Sequence, residues 1–236
     1  MKYINSAFKF IHQNLFFYTI NGLLFIALIV LSSVFSHSQG FIWLNQTHTK
    51  ELTYLFEGIT FLGDGWFIIL LSIFLLLFSK KHNKLAFIIL LSYISSGIFS
   101  QLLKNCISSP RPLTYFEIHH YKYYLETFAK SRDGYNSFPS GHTASFFALA
   151  TVIANYFRQK HICFTMIILS IAVGYSRIYL GHHFLIDVIF GAIIGVLFGS
   201  FSAVWTKKII KNTLIRKKIK KWKRRTTFFP NPSFNN

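Results

Sequence analysis

Six apolar segments recur along the chain, at about 14–36, 64–79, 85–103, 141–157, 162–180 and 184–206. Most approach the roughly 20 residues that a bilayer core demands. Nothing else in the sequence constrains the fold as tightly. A segment in lipid must satisfy its own backbone polar groups, and an α-helix does so without a partner strand. The expected fold class is therefore all-α, a polytopic six-transmembrane-helix bundle. Composition agrees, since 28 Phe stand among only 14% charged residues in a 236-residue chain. The first apolar run has no small-residue cleavage site and reads as a retained anchor. Ahead of the second run, Leu52 to Leu62 is amphipathic, and either extends that span or lies in the interface.

Charge sets the orientation. Lys80-Lys81-His82-Asn83-Lys84 joins the second and third segments, and Arg158-Gln159-Lys160 joins the fourth and fifth. The net charge of +18 is concentrated in eleven Lys and Arg between Lys207 and Arg225, with no acid among them. The positive-inside rule puts all three basic stretches in the cytoplasm, together with the N-terminus and its Lys2 and Lys9. Residues 37–63, 104–140 and 177–183 then face the opposite side. The domain reading is a membrane domain over 1–206, with its polar motifs between 104 and 187, and a basic cytoplasmic tail over 207–236. Anionic lipid headgroups are the expected partner of that tail, and nucleic acid is not. The sequence does not define an oligomeric state. Cys106 and Cys163 lack metal-ligand spacing and offer no disulfide framework. The loop 104–140, punctuated by Pro110, Pro112, Gly134 and Pro139, is long enough to suggest function. Its cluster Tyr115, Phe116, Tyr121, Tyr123 and Tyr124 is expected to rest in the membrane interface.

Three polar segments fall on that non-cytoplasmic side. The first is Lys104-x6-Arg111-Pro112, which by itself reads equally well as two cations snorkelling toward headgroups. The second is Pro139-Ser140-Gly141-His142 at the start of the fourth span. Ser140 suits a helix N-cap, Gly141 lets the backbone approach a ligand, and N–H groups at a helix N-terminus attract anions. The third is Ser176-Arg177-x5-His183-x3-Asp187. Asp187 is the only acid after Asp133, and a carboxylate carried into lipid needs a partner. His183, four residues earlier on the same helical face, is the natural one. A His oriented by a buried Asp beside an Arg is a candidate nucleophile; His182 is expected to point away. Together, Lys104, Arg111 and Arg177 supply three cations, the Ser140-Gly141 turn supplies backbone donors, and two histidines supply nucleophile and acid. That inventory suits phosphoryl transfer, where catalysis is mostly positioning and charge stabilisation. No carboxylate cluster offers a magnesium or zinc site, so neither metal nor other cofactor is expected.

These three segments, in this order, resemble the three-part signature of the type 2 phosphatidic acid phosphatase superfamily, with no departure at the defining positions. The resemblance implies six transmembrane helices and an active site opening to the periplasmic or external face of a bacterial inner membrane, with both termini cytoplasmic. It implies a metal-independent phosphohistidine mechanism. His183 would attack phosphorus, Asp187 would fix its tautomer, and His142 would protonate the leaving oxygen and then activate water. Lys104, Arg111 and Arg177, with Ser140 and Gly141, would hold the phosphoryl oxygens. The implied substrate is a lipid phosphate or diphosphate: lipid A 1-phosphate, undecaprenyl diphosphate, phosphatidylglycerol phosphate or phosphatidic acid. The motifs do not encode which. Two other readings stand beside this one. A phosphotransferase would pass phosphate from undecaprenyl diphosphate to lipid A, and a non-catalytic lipid-binding or flipping protein would keep only the anion site. The presence of both histidines argues against the last.

Overall fold

The computed structural model of the protein describes residues 10–120 and 133–226. Lys2, Lys9, Tyr121, Tyr123, Tyr124 and the tail side chains beyond Lys208 lie outside the described residues. Among the described residues the regular elements are all helical. In chain order they are α1 Leu15–Val34, α2 His37–Leu44, α3 Lys50–Phe61, α4 Gly65–Phe78, α5 Asn83–Cys106, α6 Pro112–Ile118, α7 Gly141–Phe157, α8 Lys160–Tyr179 and α9 Leu185–Thr226. Each of the six apolar segments is a helix. Among the described residues, four helical stretches are long and apolar enough to cross a membrane: Leu15–Val34, Lys80–Cys106, Lys160–Tyr179 and Leu185–Lys208. The pair α3 and α4, bent by 50°, makes a fifth if counted as one span. The remaining expected span is α7, which has 17 residues. Leu77 and Phe78 are 71% and 74% exposed. So much apolar surface would be costly in water and is at home against lipid tails, as in a multi-pass membrane protein.

Two compact units divide the chain, Met1–Ala203 and Val204–Asn236. In the second, the α9 backbone continues as far as Thr226. The site and the packing described below belong to the first.

Helix α7 is the centre of the first unit and is buried almost all round, as a helix without a solvent face must be. It packs against α5 and α8 and against a glycine stripe on α9. Gly191, Gly195 and Gly199 recur every four residues and so lie on one face. A Cβ on them would sit 2.5 Å from Ser140 O, 2.5 Å from Ala144 O and 2.8 Å from Ala148 O respectively. Only hydrogen fits between these backbones, which is how small residues bring membrane helices together.

Alternation of the helices brings the C-termini of α5 and α8, the N-termini of α7 and α9, and the α3–α4 corner to the same end of the bundle. An apolar cluster of Phe41, Phe116, Ile178, Phe184 and Val188 ties α2, α6, α8 and α9 together at that end. The two ends of the long loop are laced by Arg111 N–H to Gly134 O at 2.9 Å and Ser137 N–H to Ser109 O at 3.1 Å. Helix α6 starts on Pro112, which needs no N–H partner in a first turn.

Candidate active site

Helix α8 ends because Gly181 takes a left-handed conformation, φ +68°, which a side chain would resist. The turned-back chain lets the N–H groups of His182 and His183 both donate to Arg177 O, at 3.0 and 3.2 Å. His183 is thereby fixed in the connection between α8 and α9, before the helix begins. This corrects the expectation of a shared helical face with Asp187. Their proximity comes instead from helix capping: Asp187, in the first turn of α9, accepts from the Phe184 N–H at 2.9 Å.

Asp187 Oδ2 and His183 Nδ1 are 3.6 Å apart, too far for a hydrogen bond. Ser137 fills the interval. Its hydroxyl donates to Asp187 Oδ2 at 2.5 Å, and its oxygen lies 3.3 Å from His183 Nδ1. A proton on Nδ1 pointing at that oxygen leaves Nε2 with the lone pair. Ser137, His183 and Asp187 are all buried, so the carboxylate is held by the donors around it rather than by water. Burial pushes the His183 imidazole below its ordinary range, to about 4; Asp187 opposes that shift, and Arg177 and Lys104 add to it. At neutral pH the ring is therefore uncharged and able to act as a nucleophile.

Lys104, Arg111, Gly141, His142, Arg177 and His183 line one cavity of about 500 Å³. Each cation is oriented by fixed contacts. Lys104 Nζ donates to Asn136 O at 2.6 Å, and Arg111 Nη1 to His182 O at 3.1 Å. Arg177, buried to 3% exposure, donates through Nη1 to Thr60 Oγ1 at 2.6 Å and through Nη2 to His182 Nδ1. Contacts of this kind orient a cation without cancelling its charge. His182 thus touches the site through Arg177, rather than pointing away from it. His142 enters in the first turn of α7, and its Nε2 lies 3.7 Å from Asp64 Oδ2. A Cβ on Gly141 would meet nothing within 4 Å, so that backbone is open to the cavity.

Ser140 behaves differently from expectation. It is the N-cap residue of α7 but makes no side-chain cap bond. Its buried hydroxyl pairs with the Thr143 hydroxyl at 2.8 Å, and its N–H donates to Asp187 O at 2.9 Å. Both groups face inward, so Ser140 ties α7 to α9 while Gly141 forms the cavity wall. Ser137, Thr60 and Asp64 were not anticipated. A signal existed for Asp64, one of seven acids in the chain and set between Gly63 and Gly65 at the head of an apolar run. Ser137, in an ordinary Asn-Ser-Phe-Pro loop, gave none.

The fold and the cavity together define a class: a helical membrane bundle that gathers three cations and two imidazoles around one space. The PAP2 superfamily model matches residues 85–211, which take in all three polar segments, and the chain belongs to that superfamily. It is 32% identical to the lipid A 4'-phosphatase of Porphyromonas gingivalis, over 62% of this chain and 64% of that one. It is 31% identical to the undecaprenyl-diphosphatase BcrC of Bacillus subtilis, over 51% and 56%. The chain thus spans less than two thirds of the length of these two relatives. The crystal structure of Aquifex aeolicus LpxE is similar at TM-score 0.56 and 30% identity, covering 69% of this chain and 92% of that one.

Proposed function

We propose that the protein is a metal-independent lipid phosphatase that hydrolyses a lipid phosphate or diphosphate through a phosphohistidine. The observation that carries this reading is the shared cavity: His142 and His183 face the same space as Lys104, Arg111 and Arg177. His183 Nε2 attacks phosphorus in line, while Nδ1–H is held toward Ser137 and, through it, toward Asp187. The carboxylate stabilises the positive charge that develops on the ring. His142 gives its proton to the leaving oxygen, then takes one from the water that hydrolyses the phosphohistidine. The three cations and the Gly141 backbone hold the equatorial oxygens, the role of fixed donors in phosphoryl transfer. Ser140 contributes by anchoring the turn.

On this reading the chain crosses the membrane six times with its basic stretches inside, so that both termini lie in the cytoplasm and the cavity opens at the periplasmic face of the inner membrane, where a lipid headgroup reaches it from the bilayer. The relatives' names point to lipid A and undecaprenyl diphosphate as the substrate classes to try first, with phosphatidylglycerol phosphate and phosphatidic acid after them. The basic tail sits on anionic headgroups.

Phosphate release from this panel by purified protein tests the reading. His183→Ala should abolish turnover in a protein that still inserts and folds, and excess EDTA should leave the wild-type rate unchanged. Substantial turnover by His183→Ala would remove the assigned nucleophile. A strict magnesium requirement would remove the side-chain-only cation site.

A further inference from the structure

The α3–α4 corner reaches the site from outside the three polar segments, and it does so at three consecutive points. Thr60 Oγ1 holds Arg177 Nη1 at 2.6 Å. Gly63 packs directly on the start of α7: a Cβ there would sit 2.8 Å from His142 O and 3.1 Å from His142 Cβ. Asp64 then divides its two oxygens. Oδ1 accepts from Trp66 N–H at 2.9 Å and caps α4, while Oδ2 lies 3.7 Å from His142 Nε2.

We propose that Asp64 is a positioning residue for His142, its carboxylate stabilising the imidazolium that donates the proton to the leaving oxygen. This rests on the reading of His142 as the proton donor. The distance suits the role. At 3.7 Å a negative charge still favours the protonated ring, but no hydrogen bond is formed that would compete with the leaving oxygen for Nε2–H. The corner can press so close only because residue 63 has no side chain. One short segment therefore fixes both a phosphate-binding cation and the acid. The other charged or titratable groups lining the cavity with His142 are Lys104, Arg111, Asp133, Tyr135, Arg177 and His183. The cations among them disfavour the protonated ring, and Asp64 offsets them.

Asp64→Asn separates this role from capping, because Asn caps a helix as well as Asp does. Full-length protein labelled with 15N-histidine, in nanodiscs, gives the titration of His142, assigned by the signal lost in His142→Gln. The midpoint in Asp64→Asn should fall by roughly 0.2 to 0.7 of a pH unit, as for a partly exposed charge pair. Asp133→Asn should move it less. The alkaline limb of kcat/KM, where the acid form is lost, should shift in the same direction, with KM little changed. An unchanged midpoint in Asp64→Asn, or an equal shift in Asp133→Asn, overturns the proposal. If wild-type protein releases no phosphate from any lipid phosphate, the hydrolase reading fails, and the His142 midpoint still decides whether Asp64 acts on it.

Discussion

Ser137→Ala removes one oxygen from a position with no exposed surface, yet on the proposed mechanism it should cost much of the rate of phosphate release. The lost hydroxyl is the 2.5 Å donor to Asp187 and the 3.3 Å neighbour of His183 Nδ1. Asp187 would keep the Phe184 N–H at 2.9 Å, but His183 would face it across 3.6 Å, beyond hydrogen-bond reach. A hydrogen bond to a charged group contributes about 1.5–3 kcal/mol, which corresponds to roughly a 10- to 150-fold loss of rate. Ser137 does not line the cavity, so the loss should fall on kcat, with KM within about threefold of wild type. The assay is inorganic phosphate release from a short-chain lipid phosphate in detergent. Ser137→Cys, which keeps the volume and a weak donor, should fall between alanine and wild type. Wild-type kcat in Ser137→Ala would refute the relay, because it would mean that the imidazole closes onto Asp187 unaided. A loss confined to KM would refute it too, by placing the serine on the substrate.

The depressed His183 value makes a signed prediction. A free imidazole of ordinary pKa is about nine-tenths protonated at pH 5.5, whereas His183, held near 4, should remain neutral there by 15N NMR. Between pH 6.5 and 4 the unfolded chain takes up this proton and the folded one does not, so the group's contribution to stability is lost as pH falls through that window. Arg177→Lys should lower kcat/KM at least about tenfold, because one ammonium cannot reproduce a planar fork set on Thr60 and His182 at once; near-wild-type activity would make the fork dispensable. Gly195→Val should destabilise the bundle by about 1–3 kcal/mol as an overpacked contact, read as a lower midpoint of thermal unfolding in detergent. Its new side chain would have to displace Ala144 O and Phe147 Cβ, each 2.5 Å from the Cβ position.

Hydrophobic segmentation made the helices legible because each run is longer than any loop could bury. The fourth segment, 141–157, coincides with α7, where Pro139 and Gly141 punctuate one end and Arg158 turns left-handed at the other. The end of α9 was less legible. Its apolar run stops near 206, but the basic stretch that follows is rich in good helix formers and lacks Pro or Gly before Pro230. In the site, charge and motif spacing identified the cations and imidazoles, since buried cations and histidines are expensive and therefore conspicuous. They did not identify what holds those groups. Ser137 lies 50 residues from Asp187 and Thr60 lies 117 from Arg177, and neutral hydroxyls carry no compositional signal. For His183 and Asp187 the spacing of four correctly indicated proximity, but a helix cap rather than a helix face produces it.

That difference in cause has a consequence for the chemistry. Were the pair on one helix, its geometry would be set by α9 alone. Instead, Asp187 belongs to α9, Ser137 to the loop before α7, and His183 to the end of α8, so three elements must keep register for the relay to exist. The Ser140 N–H to Asp187 O bond and the glycine stripe beneath it maintain that register by setting the separation of α7 and α9. On the proposed mechanism, interhelical distance is thus a catalytic variable in this fold. A side chain at Gly191, 2.5 Å from Ser140 O, would part Asp187 from Ser137 and tilt His142 in one movement, striking the proposed nucleophile and the proposed acid together.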